Sequence, residues 1–331
     1  MKIRIVSKFV AAGLVMLAVG ETCSYAGPGF VGVNYGPYHK PGQDPNRPDD
    51  PPITDAQFRE DLGKIVQKFG YIRTYGTEKR VLGLVPFVAQ NYPHLNVYLG
   101  IYESSKYRSA TEEQIAKAIE LANKYPSIVE YVIVGNECLD QDFADGPVSI
   151  DQLIADINKV KQSVPANVKV TTCLGFNAGL NPQKMEDGSP NPYYRPGNDY
   201  GKKIMERSKA DSLMFTVYPF YGKLRVQEGK KNTKYWYDYA IANVANGKPV
   251  MLGEVGWPSA GKPDNGAAVT SVENEKIYTT DIVNAVKDGQ LGSTFLFEAF
   301  DEPWKKGSQW EPHWGLWDDK GNPKFAIPSG L

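Results

Sequence analysis

The chain has 331 residues, 41% hydrophobic and 12% aromatic, enough for one large α/β domain or two ordinary ones. Lysines and arginines total 37 against 38 acids, and a balance that close gives no electrostatic case for nucleic acid or an anionic membrane. Three histidines, none in a His-x-x-x-His pattern, argue against a zinc site, and no phosphate loop, serine nucleophile elbow or Cys/His pairing stands out.

At the N-terminus Lys2, Arg4 and Lys8 precede an apolar run over 9–20, and Ser24-Tyr25-Ala26 resembles a small-residue cleavage site. Residues 1–26 therefore read as a secretory signal peptide. The run is too short for a membrane anchor, which needs roughly 20 residues. Cleavage would remove three bases and one acid, leaving 27–331 with a net charge of -3. Such a chain is expected to be secreted, extracellular or periplasmic, to lack a membrane span, and to be a monomer that takes a neutral substrate. Only Cys138 and Cys173 then remain, either as a disulfide, which an oxidising compartment allows, or as two small buried hydrophobes.

Residues 31–36 (VGVNYG) read as a first strand, followed by a Pro-rich loop over 37–52. Residues 53–69 have helical spacing, with Thr54 or Asp55 as N-cap and Gly70 as C-cap. A second strand over 71–76 leads to a weaker helix over 79–91, which Pro86 is expected to kink or shorten. A third strand over 96–103 leads to a helix over 111–125 opened by a capping box at Thr111 and Gln114. The fourth strand, 129–137, is followed by an amphipathic helix over 149–164 and a fifth strand over 168–175. A long Gly/Pro/Asn-rich loop over 176–197 precedes a helix over 199–209 and a sixth strand over 213–220. A helix over 234–245, a seventh strand over 250–254, a helix over 272–286 and an eighth strand over 293–300 complete the alternation.

Eight strands alternating with helices, without a two-residue hairpin, predict a parallel sheet, and eight units in roughly 300 residues match a single (β/α)8 barrel. No linker marks a second domain. The three longest loops (37–52, 176–197, 219–233) follow strands and so belong on the C-terminal rim, where barrels carry their active sites.

The seventh strand delivers Glu254 to its C-terminal end, and the fourth delivers Glu137 in the same way. A carboxylate there closes a structural ion pair with a lysine or faces a cleft. Two of them, 117 residues apart, meet only if one parallel barrel brings both strand ends to one rim. Paired carboxylates without metal ligands suit glycosidic-bond cleavage, in which one protonates the leaving oxygen and the other attacks carbon or activates water. Aromatics at strand ends (Tyr35, Tyr75, Tyr102, Tyr218, Tyr221), with Trp257, Trp304, Trp310, Trp314 and Trp317, offer faces for sugar rings. Asn136, Asn177, Glu298 and Asp301 offer partners for hydroxyls. Any one of these aromatics can equally be ordinary packing.

The segments GVNYGPY, RTYG, IVGNE, VYPFY, GEVGWPS and EAFDEPWK, in this order, resemble glycoside hydrolase family 17, whose members act on β-1,3-glucans. The resemblance covers nearly all of 27–331. It implies a retaining (β/α)8 enzyme without cofactor, with Glu137 as acid/base and Glu254 as nucleophile. It further implies Asn136 at the sugar 2-hydroxyl, Tyr218 beside Glu254, and Glu302, Lys305 and Glu311 supporting the cleft. Tyr35, Tyr75 and Trp257 are expected to contact substrate. Asn34 stands where plant members usually have Cys, and EAFDEPW is closer to the fungal and bacterial branch, which includes glucanosyltransferases. Hydrolysis and transfer therefore both remain open, as do a glucan-binding protein without chemistry and a related barrel enzyme acting on mannan or another β-glucan.

Overall fold

A computed structural model describes residues 29–331 apart from 48, 50, 51, 142–144 and 263–265; the signal peptide read over 1–26 lies outside the described residues. Eight parallel strands, β1 (Val31–Asn34), β2 (Tyr71–Arg73), β3 (Asn96–Ile101), β4 (Val129–Asn136), β5 (Lys169–Leu174), β6 (Leu213–Thr216), β7 (Val250–Val255) and β8 (Thr294–Leu296), close in sequence order into a barrel. Between them run α1 (Asp55–Ile65), α2 (Leu84–Asn91), α3 (Arg108–Lys124), α4 (Ile150–Ser163), α5 (Phe176–Leu180), α6 (Tyr200–Arg207), α7 (Val226–Asn243) and α8 (Val272–Lys287). The expected (β/α)8 barrel is the observed one.

The helices start where side chains can take up unpaired amides. Thr54 accepts from the Gln57 amide, Ser149 from that of Gln152 and Ser271 from that of Asn274. Pro86 sits in the first turn of a shortened α2, where its missing N–H has no partner to lose.

The sixth and eighth strands, expected to reach 220 and 300, end at Thr216 and Leu296, and three helices also depart from expectation. α3 begins three residues before Thr111, whose hydroxyl donates to the Tyr102 carbonyl while Gln114 accepts from the Thr77 and Tyr102 amides; the two residues stitch loops together and form no capping box. α7 begins at Val226 because Glu228 reaches back to the Arg225 amide, which shortens the loop before it. The loop after β5 opens with α5.

Two layers of apolar packing hold the barrel. Tyr98, Tyr131, Ile133, Cys173, Met214, Met251 and Phe295 fill its interior, and Phe30 stacks on Tyr71 below them with ring centroids 3.6 Å apart. A larger shell lies between strands and helices and includes Cys138. Both cysteines are free and fully buried, and the disulfide alternative fails because Cys173 packs inside the barrel and Cys138 outside it. Register shifts fall at Ile133/Asn136, Phe215/Thr216 and Leu252/Val255, near the C-terminal ends of β4, β6 and β7. Bulges of this kind re-aim side chains, and these three lie next to the two candidate glutamates.

Candidate active site

At the end of β4 the backbone turns through two left-handed residues, Gly135 at φ +79 and Glu137 at φ +53. A Cβ on Gly135 would come within 2.6 Å of the Cys138 sulfur, so only glycine fits. A glutamate in this region is strained, and strain of this sort is held where surrounding bonds over-determine it. The Glu137 amide donates to the Cys173 carbonyl at 2.8 Å and its Oε1 accepts from the Thr216 hydroxyl at 2.6 Å. Burial, and then the neighbouring Glu254, push the Glu137 carboxyl up to about 8, against the smaller opposing pull of the Thr216 hydroxyl. At neutral pH this group holds a proton.

Glu254, within β7, has a different environment. Its Oε1 accepts from Arg73 Nη1 at 2.7 Å and its Oε2 from the Tyr218 hydroxyl at 2.6 Å. Arg73 lies wholly inside the barrel and also donates to Asn34 Oδ1 (2.9 Å), the Gly253 carbonyl (3.1 Å) and Asn136 Oδ1 (2.6 Å). One guanidinium thus joins β1, β2, β4 and β7. Because a guanidinium only donates, Asn136 must turn its oxygen to Arg73, which leaves its NH2 group directed elsewhere. Tyr75 lies under Arg73, 4.8 Å from ring centroid to guanidinium carbon.

Both glutamates line one cleft of about 1410 Å³, beyond the range of about 300 to 1,000 Å³ usual for small-molecule sites. Tyr218, Tyr221, Phe297, Trp314 and Glu311 form part of its wall. Tyr218, Phe297 and Trp314 meet edge to face at 5.2 to 5.8 Å, and Glu311 accepts from the Tyr221 hydroxyl at 2.7 Å. Beside Phe297, Lys305 donates to Glu298 at 2.6 Å and pairs with Glu302 at 3.0 Å, its ammonium 4.4 Å from the Phe297 ring centroid. Burial would draw the Lys305 ammonium down, but the two carboxylates outweigh it and hold it up; burial, with Glu302 adding to it, pushes Glu298 well up.

Of the residues expected at the site, Glu137, Glu254, Tyr218 and Glu311 line the cleft, Asn136 and Tyr75 touch Arg73, and Lys305 sits over the Phe297 ring and pairs with Glu302. Tyr35 and Trp257 do not belong there. Along β1 side chains alternate, and since Asn34 points inward to Arg73, Tyr35 faces the helices, where it is fully buried and donates to Asp61 at 2.8 Å. Trp257 is 1% exposed, donates to the Val269 carbonyl at 2.8 Å and packs on Phe220 and Tyr278.

Arg73 and Thr216 were not among the expected site residues. Arg73 ends an apolar strand, the same signal that singled out Glu254; a threonine in a strand carries no such mark.

Among solved structures the chain is similar to a glycoside hydrolase family 17 β-1,3-glucanosyltransferase from Rhizomucor miehei, 24% identical with a TM-score of 0.71, covering 91% of this chain and 98% of that one. An endo-laminarinase from Formosa gives 20% identity and a TM-score of 0.69 over 89% and 84%. Among curated relatives, the glucan endo-1,3-beta-glucosidase btgC of Emericella nidulans is 24% identical over 90% of this chain, and a glucan 1,3-beta-glucosidase of Arthroderma benhamiae is 25% identical over 84% of this chain and 86% of its own length. The chain spans 45% of the length of that btgC protein and 43% of that of the Aspergillus niger one. The model of the BtgE/BtgC glycoside hydrolase domain matches residues 32–315, which take in all of the barrel's strands but the first residue of β1 and include both cleft glutamates, and the chain belongs to that family.

Proposed function

We propose that this chain is a retaining glycosidase or transglycosylase acting on β-1,3-glucan, with Glu137 as acid/base and Glu254 as nucleophile. The observation that carries the reading is the contrast between two carboxyl groups on one cleft, one holding a proton up to about 8 and one held by a guanidinium and a phenol. A carboxyl kept protonated by burial, facing one held by a cation and a phenol, suits the roles of acid and nucleophile.

Glu254 Oε attacks the anomeric carbon as the bond from that carbon to the departing sugar oxygen breaks, and the Glu137 proton passes to that oxygen. The result is a glycosyl ester on Glu254 and a Glu137 carboxylate. That carboxylate then takes the proton of an incoming hydroxyl, whose oxygen displaces Glu254 and restores the original anomeric configuration. Water as acceptor gives hydrolysis; a sugar hydroxyl gives transfer. Arg73 holds the nucleophile and the Asn136 amide in one register, so the amide NH2 is placed to donate to the 2-hydroxyl of the sugar on Glu254. The names of the relatives support β-1,3-glucan as substrate and both outcomes.

The barrel over 27–331 is read as the catalytic unit, acting as a monomer outside the cell after removal of residues 1–26. Among the described residues no helix is long and apolar enough to cross a membrane. The test is incubation with laminaritriose and with a longer laminari-oligomer, sizing the products and following their anomeric form. Initial products of retained configuration are expected, and products longer than the substrate mean transfer. An inverted product, or intact β-1,3-glucan beside cleaved mannan or cellulose, would overturn the reading.

A further inference from the structure

Beside the catalytic cleft lies a second groove, of about 490 Å³, between the segment that follows β5, the start of α6 and the outer face of α7. Asn181 and Tyr235 line both spaces, so the groove adjoins the cleft. We propose that this groove is an extended binding site for a β-linked glucan chain on the leaving-group and acceptor side of the reaction, an inference that rests on the functional reading above.

The side follows from where the two sugars must sit. The network that fixes Glu254 and Asn136, Arg73 with Asn34 and Tyr75 beside it, is built from β1, β2, β4 and β7, so the donor ring belongs on that side of the cleft. Glu137 points the other way, to Thr216 on β6, and it serves the departing oxygen. The leaving fragment therefore extends toward the β5 and β6 side of the rim, and the segment that follows β5 is one wall of this groove, with α6 and α7 forming the others.

Its chemistry fits an uncharged polyhydroxylated chain. Tyr235 is 40% exposed and stands edge-on against buried Trp236, which itself meets Phe176 and Tyr239, so the tyrosine rings rest on a fixed base. Rigid aromatic faces of this kind suit the C–H faces of sugar rings. Asn243, Asp199 and Lys202 supply donors and acceptors of both signs within the same groove.

The groove is preformed. Asn181, itself left-handed at φ +41, exchanges two hydrogen bonds with Arg195 across the loop, and Asn232 on α7 donates to Glu186 at 2.8 Å, pinning the loop to the helix. A site already in its bound shape spends little of its binding energy on ordering.

Two variants test this away from the glutamates: Tyr239→Ala, which removes a ring, and Asn243→Trp, which fills the groove from an exposed position on α7. The rate on laminaritriose is compared with that on long laminarin. Each variant is expected to lower kcat/KM on laminarin by about tenfold while the triose rate changes by less than about twofold, the triose rate also reporting an intact fold. Equal losses on both lengths, or an unchanged laminarin rate, would overturn the groove assignment while leaving the functional reading standing. A parent enzyme inactive on every β-1,3-glucan would overturn both.

Discussion

Arg73 and Glu254 form an ion pair of 2.7 Å whose side chains are 1% and 6% exposed. Buried so deeply, neither charge is tolerable without the other, and attraction in a dry interior repays desolvation only where further hydrogen bonds complete the arrangement. Here Asn34, Asn136 and the Gly253 carbonyl accept from the two terminal Arg73 nitrogens and Tyr218 donates to Glu254, while Arg73 Nε has no partner among the described residues. The pair thus serves the barrel and the proposed chemistry together.

Replacing Arg73 by lysine keeps the charge and loses the planar fork that reaches β4 and β7 at once. Arg73→Lys is expected to fold with a lowered Tm and to lose about 10²-fold in kcat through misplacement of Glu254. Arg73→Met leaves Glu254 buried and unpaired, at a cost of about 3 to 5 kcal/mol. Steady-state rates and thermal melts check both; a Lys variant with full activity would remove Arg73 from the role given to it.

The Glu137 carboxyl sets a pH limb. In its proposed role as general acid it must carry a proton, so activity should hold below about 8 and fall as pH rises through that value. The Thr216 hydroxyl stabilises the ionised form, so Thr216→Val should move the limb to higher pH, which a pH profile of kcat/KM reads directly. The same shift carries a stability term. With its folded value raised above the unfolded one, the group's favourable contribution is fully present below about 4.5 and is lost as pH rises through about 8. Glu137→Gln should therefore be inactive and melt about 2 to 6 °C higher at pH 8, a discounted figure because the cleft is open to water. No gain at pH 8 over pH 5 would contradict the raised value.

How much of this was legible follows from which signals are local. Glu137 and Glu254 stood out because each ends an apolar strand, whereas the left-handed turn at Gly135 that carries the first emerges only in the structure. The alternation of elements gave the barrel, and the barrel brought the glutamates together. Tyr35 and Trp257 were misplaced because a strand-end aromatic looks the same from either face; which face it takes depends on Asn34 pointing at an arginine 39 positions away. The start of α7 was hidden because its capping residue, Arg225, is not a usual N-cap and the glutamate that reaches back lies three positions on. The cysteines needed three dimensions, since strand assignment alone does not say that one thiol packs inside the barrel and the other outside.

Lys305 lies between Glu298 and Glu302 and is the cation paired with both. Lys305→Met should cost about 3 to 5 kcal/mol at neutral pH, since it leaves two buried carboxyl groups side by side. The loss should shrink as pH falls and the pair takes up a proton, because Glu298 is already pushed well up by burial. Melting the variant and parent from pH 4 to 8 measures this; a pH-independent difference would place the loss in packing of the lysine stem.

If Glu254 is the nucleophile, Glu254→Ala removes attack on carbon and leaves Glu137 able to protonate. With an activated glycosyl fluoride, azide entering the vacated space should restore turnover and give a glycosyl azide of inverted configuration. The corresponding Glu137→Ala variant should yield, with an activated leaving group, an azide of retained configuration. Exchange of the two outcomes would reverse the assignments.

Two tyrosines separate packing from chemistry. Tyr218 donates to Glu254 in the cleft, whereas Tyr35 donates to Asp61, which also bonds His39 at 3.0 Å, between the barrel and α1. Removing either hydroxyl deletes one hydrogen bond to an acid, worth about 1.5 to 3 kcal/mol where the acid is ionised. For Tyr35→Phe that loss should fall on stability, with kcat/KM unchanged, because a fully buried ring on the helix side has no path to substrate. For Tyr218→Phe it should fall on the reaction, since the phenol that holds one Glu254 oxygen sets the direction in which the other attacks. A drop of about 10- to 100-fold in kcat with a smaller change in Tm is expected there. A Tyr35→Phe enzyme that loses catalysis while melting normally would return that residue to the substrate side, against its placement behind the strand.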